Sequence, residues 1–332
     1  MTDTPRSAAP TATVTDFGAD LPAAYAACEE ITRREARNFS YGIRLLPAPK
    51  RTALSAVYAL ARRIDDIGDG DLPEAQTFEA KLVALAAVRA SVQSMREGTP
   101  DPTDPVLVGV HDAVHRYPIP LGAFDELVDG VEADTRMDEQ ARRTGEPARP
   151  HETFSDMEVY CRQVAGSVGR LCLGIFGSRP AERRPAQSTV DTERAATYAD
   201  QLGIALQQTN ILRDLREDLQ NGRVYLPTDE LARFGAELRL DAAGALVDPT
   251  GGLAAYIRFA ADRARRWYAD GLKLLPLLDR RSAACAGAMA GIYRRLLEDI
   301  AAEPESVFAQ RRSLSGGQKL VVAVKALAGR TS

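Results

Sequence analysis

Tryptophan occurs once in these 332 residues, histidine three times and cysteine four times. Cys28, Cys161, Cys172 and Cys285 lie far apart with no C-x-x-C spacing. That pattern argues against a zinc site or a disulfide framework and suits a reducing cytoplasm. Neither sign of charge prevails. With 42 Lys and Arg against 46 Asp and Glu, the net charge of −4 gives no electrostatic case for nucleic acid. Residues 1–20, rich in Thr, Ala, Pro and Asp, lack the apolar core of a signal peptide and read as a disordered tail before a folded part spanning 21–332. Leu320 to Gly329 is mildly apolar, but Lys325 interrupts it and Lys319 and Arg330 flank it. It is too short and too charged to span a bilayer. A cytoplasmic protein is expected, with at most a peripheral hold on the inner face of a membrane.

Strand-like alternation is also missing. Apolar residues recur instead at helical spacing over about 21–44, 50–68, 74–96, 104–116, 119–135, 153–176, 190–220, 252–277 and 282–301. Gly/Pro-rich joints separate these stretches, and 45% hydrophobic content suffices for a large core. Three features mislead. Leu314-Ser315-Gly316-Gly317-Gln318 matches the signature of ABC-type ATPases, yet no phosphate-cradling G-x-x-x-x-G-K-[ST] accompanies it. His111 and His115 are four apart without the Glu of a zinc protease, so solvated or capping histidines are expected. The Arg-rich run from Arg179 to Arg184 reads as a solvated loop.

What is present is acid at helical spacing. Asp65 and Asp69 are four residues apart, as are Asp214 and Asp218, so each pair shares a helix face. Tyr58 and Arg62 continue the first stripe, and Gln207 and Asn210 the second. A lone acidic pair is usually solvated or matched by a nearby Arg. Tyr, Gln and Asn beside the carboxylates make a poor solvent face. Crowded carboxylates also need compensating cations. Two such stripes facing one another would hold hard divalent cations, and through them a diphosphate.

Four segments in order resemble the squalene/phytoene synthases over most of the chain. They are Ala36-Arg37-Asn38-Phe39-Ser40-Tyr41-Gly42 with Leu45-Leu46-Pro47; Tyr58 to Asp69; Tyr160-Cys161-Arg162-Gln163-Val164-Ala165-Gly166-Ser167-Val168-Gly169; and Leu202 to Asp218 followed by Gly222 to Pro227. At Ala36 the chain departs from relatives that carry Ser. The resemblance implies an all-α, single-domain, isoprenoid-synthase-type bundle with a central cavity. It also implies Mg²⁺ (Mn²⁺ as a substitute) on Asp65, Asp69, Asp214 and Asp218. Arg62, Arg213 and Tyr160 would be catalytic, and Arg37, Phe39, Tyr41, Tyr58, Gln207, Asn210 and Tyr225 would bind substrate. The N-terminal segment looks most like presqualene diphosphate synthases of hopanoid pathways. The expected reaction therefore joins two farnesyl diphosphates, releases diphosphate, needs no NADPH and feeds downstream isoprenoid enzymes. Phytoene synthase acting on geranylgeranyl diphosphate is the alternative, as is a complete NADPH-dependent squalene synthase. A one-substrate terpene cyclase and an inactive helical carrier are more distant readings.

The Tyr160 segment carries Ala165, Gly166, Ser167 and Gly169, and each mid-helix Gly costs about 1 kcal/mol against Ala. Spacing alone divides evenly between close helix packing and room for an isoprenoid chain. The resemblance favours room.

Overall fold

Helices account for nearly all regular structure in the computed structural model, which describes residues 20–36, 39–177 and 189–328. The predicted tail, Arg37, Asn38 and the Arg179 to Arg184 loop lie outside the described residues, apart from Asp20. Among the described residues β-pairing is limited to two isolated bridges, Ala148 with Arg223 and Leu240 with Leu246.

The predicted first helix is two: α1 (Leu21–Glu35) and the short α2 (Ser40–Ile43). Next come α3 (Ala48–Asp69), α4 (Phe78–Arg96), α5 (Pro105–Arg116) and α6 (Gly122–Thr144). Thr77 and Asp104 accept hydrogen bonds from the first-turn amides of α4 and α5, the side-chain caps that helix starts favour. Gly70 and Gly145, both left-handed, end α3 and α6. The predicted end of α6 at 135 falls short by more than two turns.

The second half contains α7 (Phe154–Cys161), a π-helical turn (Arg162–Gly166), α8 (Ser167–Phe176), α9 (Thr189–Gln220), α10 (Thr228–Phe234), α11 (Gly252–Gly271), α12 (Arg280–Ala302) and α13 (Gly316–Leu327). Neither α10 nor α13 was anticipated. The ATPase-like pentapeptide proves to be a helix start. Ser315 accepts from the Gln318 amide while the Gln318 side chain accepts from the Ser315 amide, a capping box opening α13. His111 is not solvated: it is 2% exposed inside α5, its ring 4.3 Å from that of His115.

One core cluster gathers side chains of α1, α3–α6 and α8, and a second gathers those of α9, α11 and α12. Val164, in the π turn, packs against both. Lys50 ties the halves at one end, donating to the Phe176 carbonyl at 2.8 Å, Asp279 at 2.6 Å and Ser282 at 3.1 Å. A cavity opens between the two clusters.

Candidate active site

The cavity measures about 620 Å³, and α3, α7–α8, α9 and α12 supply most of its wall. Its lining changes character along each helix. On α3 the order is Leu54, Val57, Tyr58, Ala61, Arg62, Asp65, Asp69; on α9 it is Ala199, Leu202, Leu206, Gln207, Asn210, Asp214, Asp218. Both run from apolar to acidic toward their C-termini. At 1.5 Å per residue, Leu54 to Asp69 spans about 22 Å. Along α7, the π turn and α8 the order reverses, from Tyr160 through Val168 and Cys172 to Phe176. One end is therefore acidic and the other apolar, as a diphosphate with a long hydrocarbon tail requires.

The acidic end is electrostatically strained. Asp69 closes α3, and Asp218 sits in the last turn of α9, where the helix dipole already presents negative charge and neither helix supplies a basic residue. Burial, then repulsion from Asp214, pushes Asp218 up to about 8. Asp65 lies deep yet touches the cavity, and burial, with repulsion from Asp69 and Asp66 against the pull of Arg62, raises it to about 7. Asp69 is raised too, by burial, with Arg223 and Arg62 opposing. Asp214 accepts from two guanidiniums, Arg213 at 2.7 and 2.5 Å and Arg311 at 2.8 and 3.1 Å. Arg62 pairs with Asp66 at 2.5 Å and Asp71 at 3.5 Å.

These donors fit a hard cation. They are all oxygen, and the buried Asn210 Oδ1 beside them has no hydrogen-bond partner. Among the described residues no three His, Cys, Asp or Glu side chains converge into a protein-only cage. Mg²⁺ characteristically takes one or two carboxylates and completes its shell with waters and substrate phosphates.

Sequence reasoning overlooked a third acidic pair, Asp134 and Asp138 on α6, whose spacing matches the other two. Ending the helix at 135 hid it. Asp134 accepts from Tyr160 at 2.9 Å and Tyr225 at 2.7 Å. The two phenol rings stack at 5.0 Å. Burial raises Asp134 to about 6 against the pull of Arg223 and both hydroxyls. It also lifts both phenols well above their usual value, so they stay neutral. Asp138 clamps Arg223 through two bonds of 2.6 and 2.7 Å. Arg223, Arg311 and Tyr293 join the lining, unpredicted as site residues.

Of the predicted residues, Phe39, Tyr58, Arg62, Asp65, Asp69, Tyr160, Gln207, Asn210, Arg213, Asp214, Asp218 and Tyr225 line this one cavity. Tyr41 does not. Phe39 and Ile43 face the cavity, and Tyr41, two residues from each, turns to the other side to pack with Leu45, Ala288, Ala323 and Ala326. The small residues serve packing more than expected. A Cβ on Gly169 would lie 2.6 Å from the Ala199 carbonyl oxygen, and one on Gly203 2.4 Å from that of Ala165. The helices touch backbone to backbone there, although Ala165, Val168 and Gly169 also face the cavity.

Comparison with known proteins adds a lineage to this geometry. The squalene/phytoene synthase family model matches residues 32–318. The phytoene synthase of Mycobacterium tuberculosis is 52% identical over 93% of this chain and 92% of its own length. The 15-cis-phytoene synthase of Synechococcus elongatus is 31% identical over 91% and 92%. Among solved structures, a dehydrosqualene synthase superposes with a TM-score of 0.74 at 26% identity over 93% of this chain and 97% of that one. The squalene synthase of Alicyclobacillus acidocaldarius superposes at 0.69, also at 26% identity, over 86% and 96%.

Proposed function

This chain belongs to the squalene/phytoene synthase family and is a prenyltransferase with the isoprenoid-synthase-type helical fold, and on that premise we propose that it joins two geranylgeranyl diphosphates into phytoene. The observation that carries the twenty-carbon substrate is the 52% identity to a phytoene synthase over 93% of the chain. It outweighs the N-terminal likeness that favoured farnesyl diphosphate and presqualene diphosphate. Atom balance agrees with the expectation that NADPH is not needed. Coupling two allylic diphosphates into phytoene expels two diphosphates and two protons, with no reduction, whereas squalene requires a hydride.

The acidic end binds the diphosphates and the apolar channel binds the tails. Asp65, Asp69, Asp214 and Asp218, with Asn210, would hold Mg²⁺ or Mn²⁺. When bound, the ions would supply Lewis-acid stabilisation of the leaving diphosphate. Arg62, Arg213, Arg223 and Arg311 add fixed positive charge at the same end, where charge grows as the carbon–oxygen bond ionises. Phe39, Tyr58, Val168 and Met289 keep water from the allylic cation until the second double bond attacks it. Gln207 stands where the acidic and apolar parts meet. Tyr160 and Tyr225 stay neutral and each uses its one hydroxyl proton on Asp134, which fixes both rings in the cavity wall with only oxygen lone pairs left to face the site.

The test is incubation of the purified protein with radiolabelled farnesyl or geranylgeranyl diphosphate and Mg²⁺, with and without NADPH. Phytoene from geranylgeranyl diphosphate, independent of NADPH and abolished by EDTA, is expected. Presqualene diphosphate or squalene as the dominant product would return the protein to the fifteen-carbon branch. Full turnover in EDTA would remove the metal assignment.

A further inference from the structure

The last helix is inside out. Its packed side carries Ala323, Ala326 and the half-buried Val322, while its four other large apolar residues face water: Leu320 is 56% exposed, Val321 55%, Val324 59% and Leu327 40%. These four are most of the exposed large hydrophobics among the described residues. At about 100° per residue they fill an arc of about 120°, bordered on one side by the exposed Lys325, while the half-buried Lys319 lies beyond the other edge, between Ala323 and Ala326. After Glu305 the chain holds Arg311, Arg312, Lys319, Lys325 and Arg330 and no acidic residue, in a protein whose net charge is −4.

We propose that α13 is an interfacial helix that seats the enzyme on an anionic lipid bilayer, its Leu/Val face among the acyl chains and its lysines at the headgroups. An apolar arc edged by an exposed lysine, on a segment that is basic throughout, is what an in-plane helix presents to such a surface. The arc suits a bilayer better than a second copy of the chain. A two-fold contact through this face would bring two like basic segments, each with Lys325 at the edge, together with no acid on either segment to meet them. Position supports the assignment. α13 packs on α12 and α2, with Val322 against Gly291 and with Ala323 and Ala326 beside Ala288 and Tyr41. The opposite faces of those two elements, through Phe39, Ile43, Ala286 and Met289, line the apolar cavity. A seated α13 therefore places the hydrocarbon-binding wall one helix away from the membrane. The need for such a seat rests on the proposed function only in that the product is a water-insoluble hydrocarbon.

Co-sedimentation of the full chain with vesicles, without substrate, tests the proposal separately from product identity. Binding to phosphatidylcholine vesicles containing about 30% phosphatidylglycerol should exceed binding to phosphatidylcholine alone by roughly fivefold per engaged lysine. Leu320→Ser with Val324→Ser should weaken it about tenfold or more, through lost apolar burial. Lys319→Gln with Lys325→Gln should erase the anionic preference and leave residual apolar binding. Turnover in detergent should be unchanged in both variants, because these side chains do not reach the cavity. Absence of vesicle binding, or wild-type binding by the Ser variant, would overturn the proposal. So would a lipid-free dimer, seen by sedimentation velocity, that the Ser variant dissolves.

Discussion

Tyr160, Asp134 and Tyr225 form a unit of two phenols on one carboxylate, and the loss of any member should be felt by the others. Tyr160→Phe leaves the stacked ring in place but deprives a buried carboxylate of one of its two donors. We expect turnover to fall at least tenfold, with a stability loss of about 1 kcal/mol, the usual net worth of a buried hydrogen bond. Asp134→Asn should impair turnover similarly. Combining it with Tyr160→Phe should cost much less than the sum, because both remove the same contact. Additive effects in a kinetic double-mutant cycle would mean that Asp134 does not act through Tyr160. Asp218 carries a second prediction. Its folded carboxyl is raised to about 8, above its unfolded value. It therefore favours the folded state most below about pH 4. Metal-free protein should lose stability as pH rises from there toward 8. Asp218→Asn should flatten that profile and stabilise metal-free protein at pH 8 by about 1 kcal/mol or more, while lowering turnover about 100-fold. Melting curves across pH, in EDTA, decide it. A profile identical to wild type would mean that Asp218 does not experience that burial.

At the scale of elements, the contact of α8 with α9 positions the second acidic stripe. Gly203 lets α9 lie against the π turn, and a methyl group there would meet the Ala165 carbonyl at 2.4 Å. Gly203→Ala should destabilise the protein by about 2 kcal/mol or more, the scale of overpacking a close-fitted core. Urea denaturation measures it, and a loss under about 0.5 kcal/mol, the size of an ordinary surface change, would show that the helices part easily. The sequence made the glycines visible but left their purpose open, because a missing side chain makes equal room for a ligand or a neighbouring backbone. The end of α6 shows the converse. Its apolar periodicity fades near 135, so Asp138 dropped out of view, though its spacing to Asp134 repeats the other acidic pairs. The helix runs on because tertiary contacts, including Arg223 on Asp138, support its polar last turns.

The whole molecule decides how long a hydrocarbon fits. Cys172 and Phe176 of α8, Ala199 of α9 and Leu274 in the turn after α11 line the apolar part of the cavity. Cys172→Phe should fill part of it and lower kcat/KM for geranylgeranyl diphosphate relative to farnesyl diphosphate by about tenfold or more. Each displaced methylene is worth about 0.8 kcal/mol. The ratio of the two values is the readout, because it is independent of the fraction folded. An unchanged ratio would place the end of the chain elsewhere. No helix among the described residues is long and apolar enough to cross a membrane, and the lipid contact proposed for α13 is an in-plane one.

The sequence alone determined the helical class, the two acidic stripes and the family, because each is written in short-range spacing: four residues return a side chain to the same helix face wherever that helix lies. It could not determine which faces meet. Asp134 beside Tyr160, Arg311 on Asp214, Tyr41 turned from the cavity and a last helix with its large residues outward all join or separate residues distant in the chain. Only the packing of one helix against another settles such pairings, since every helix offers several faces and the best burial of all of them together selects one arrangement.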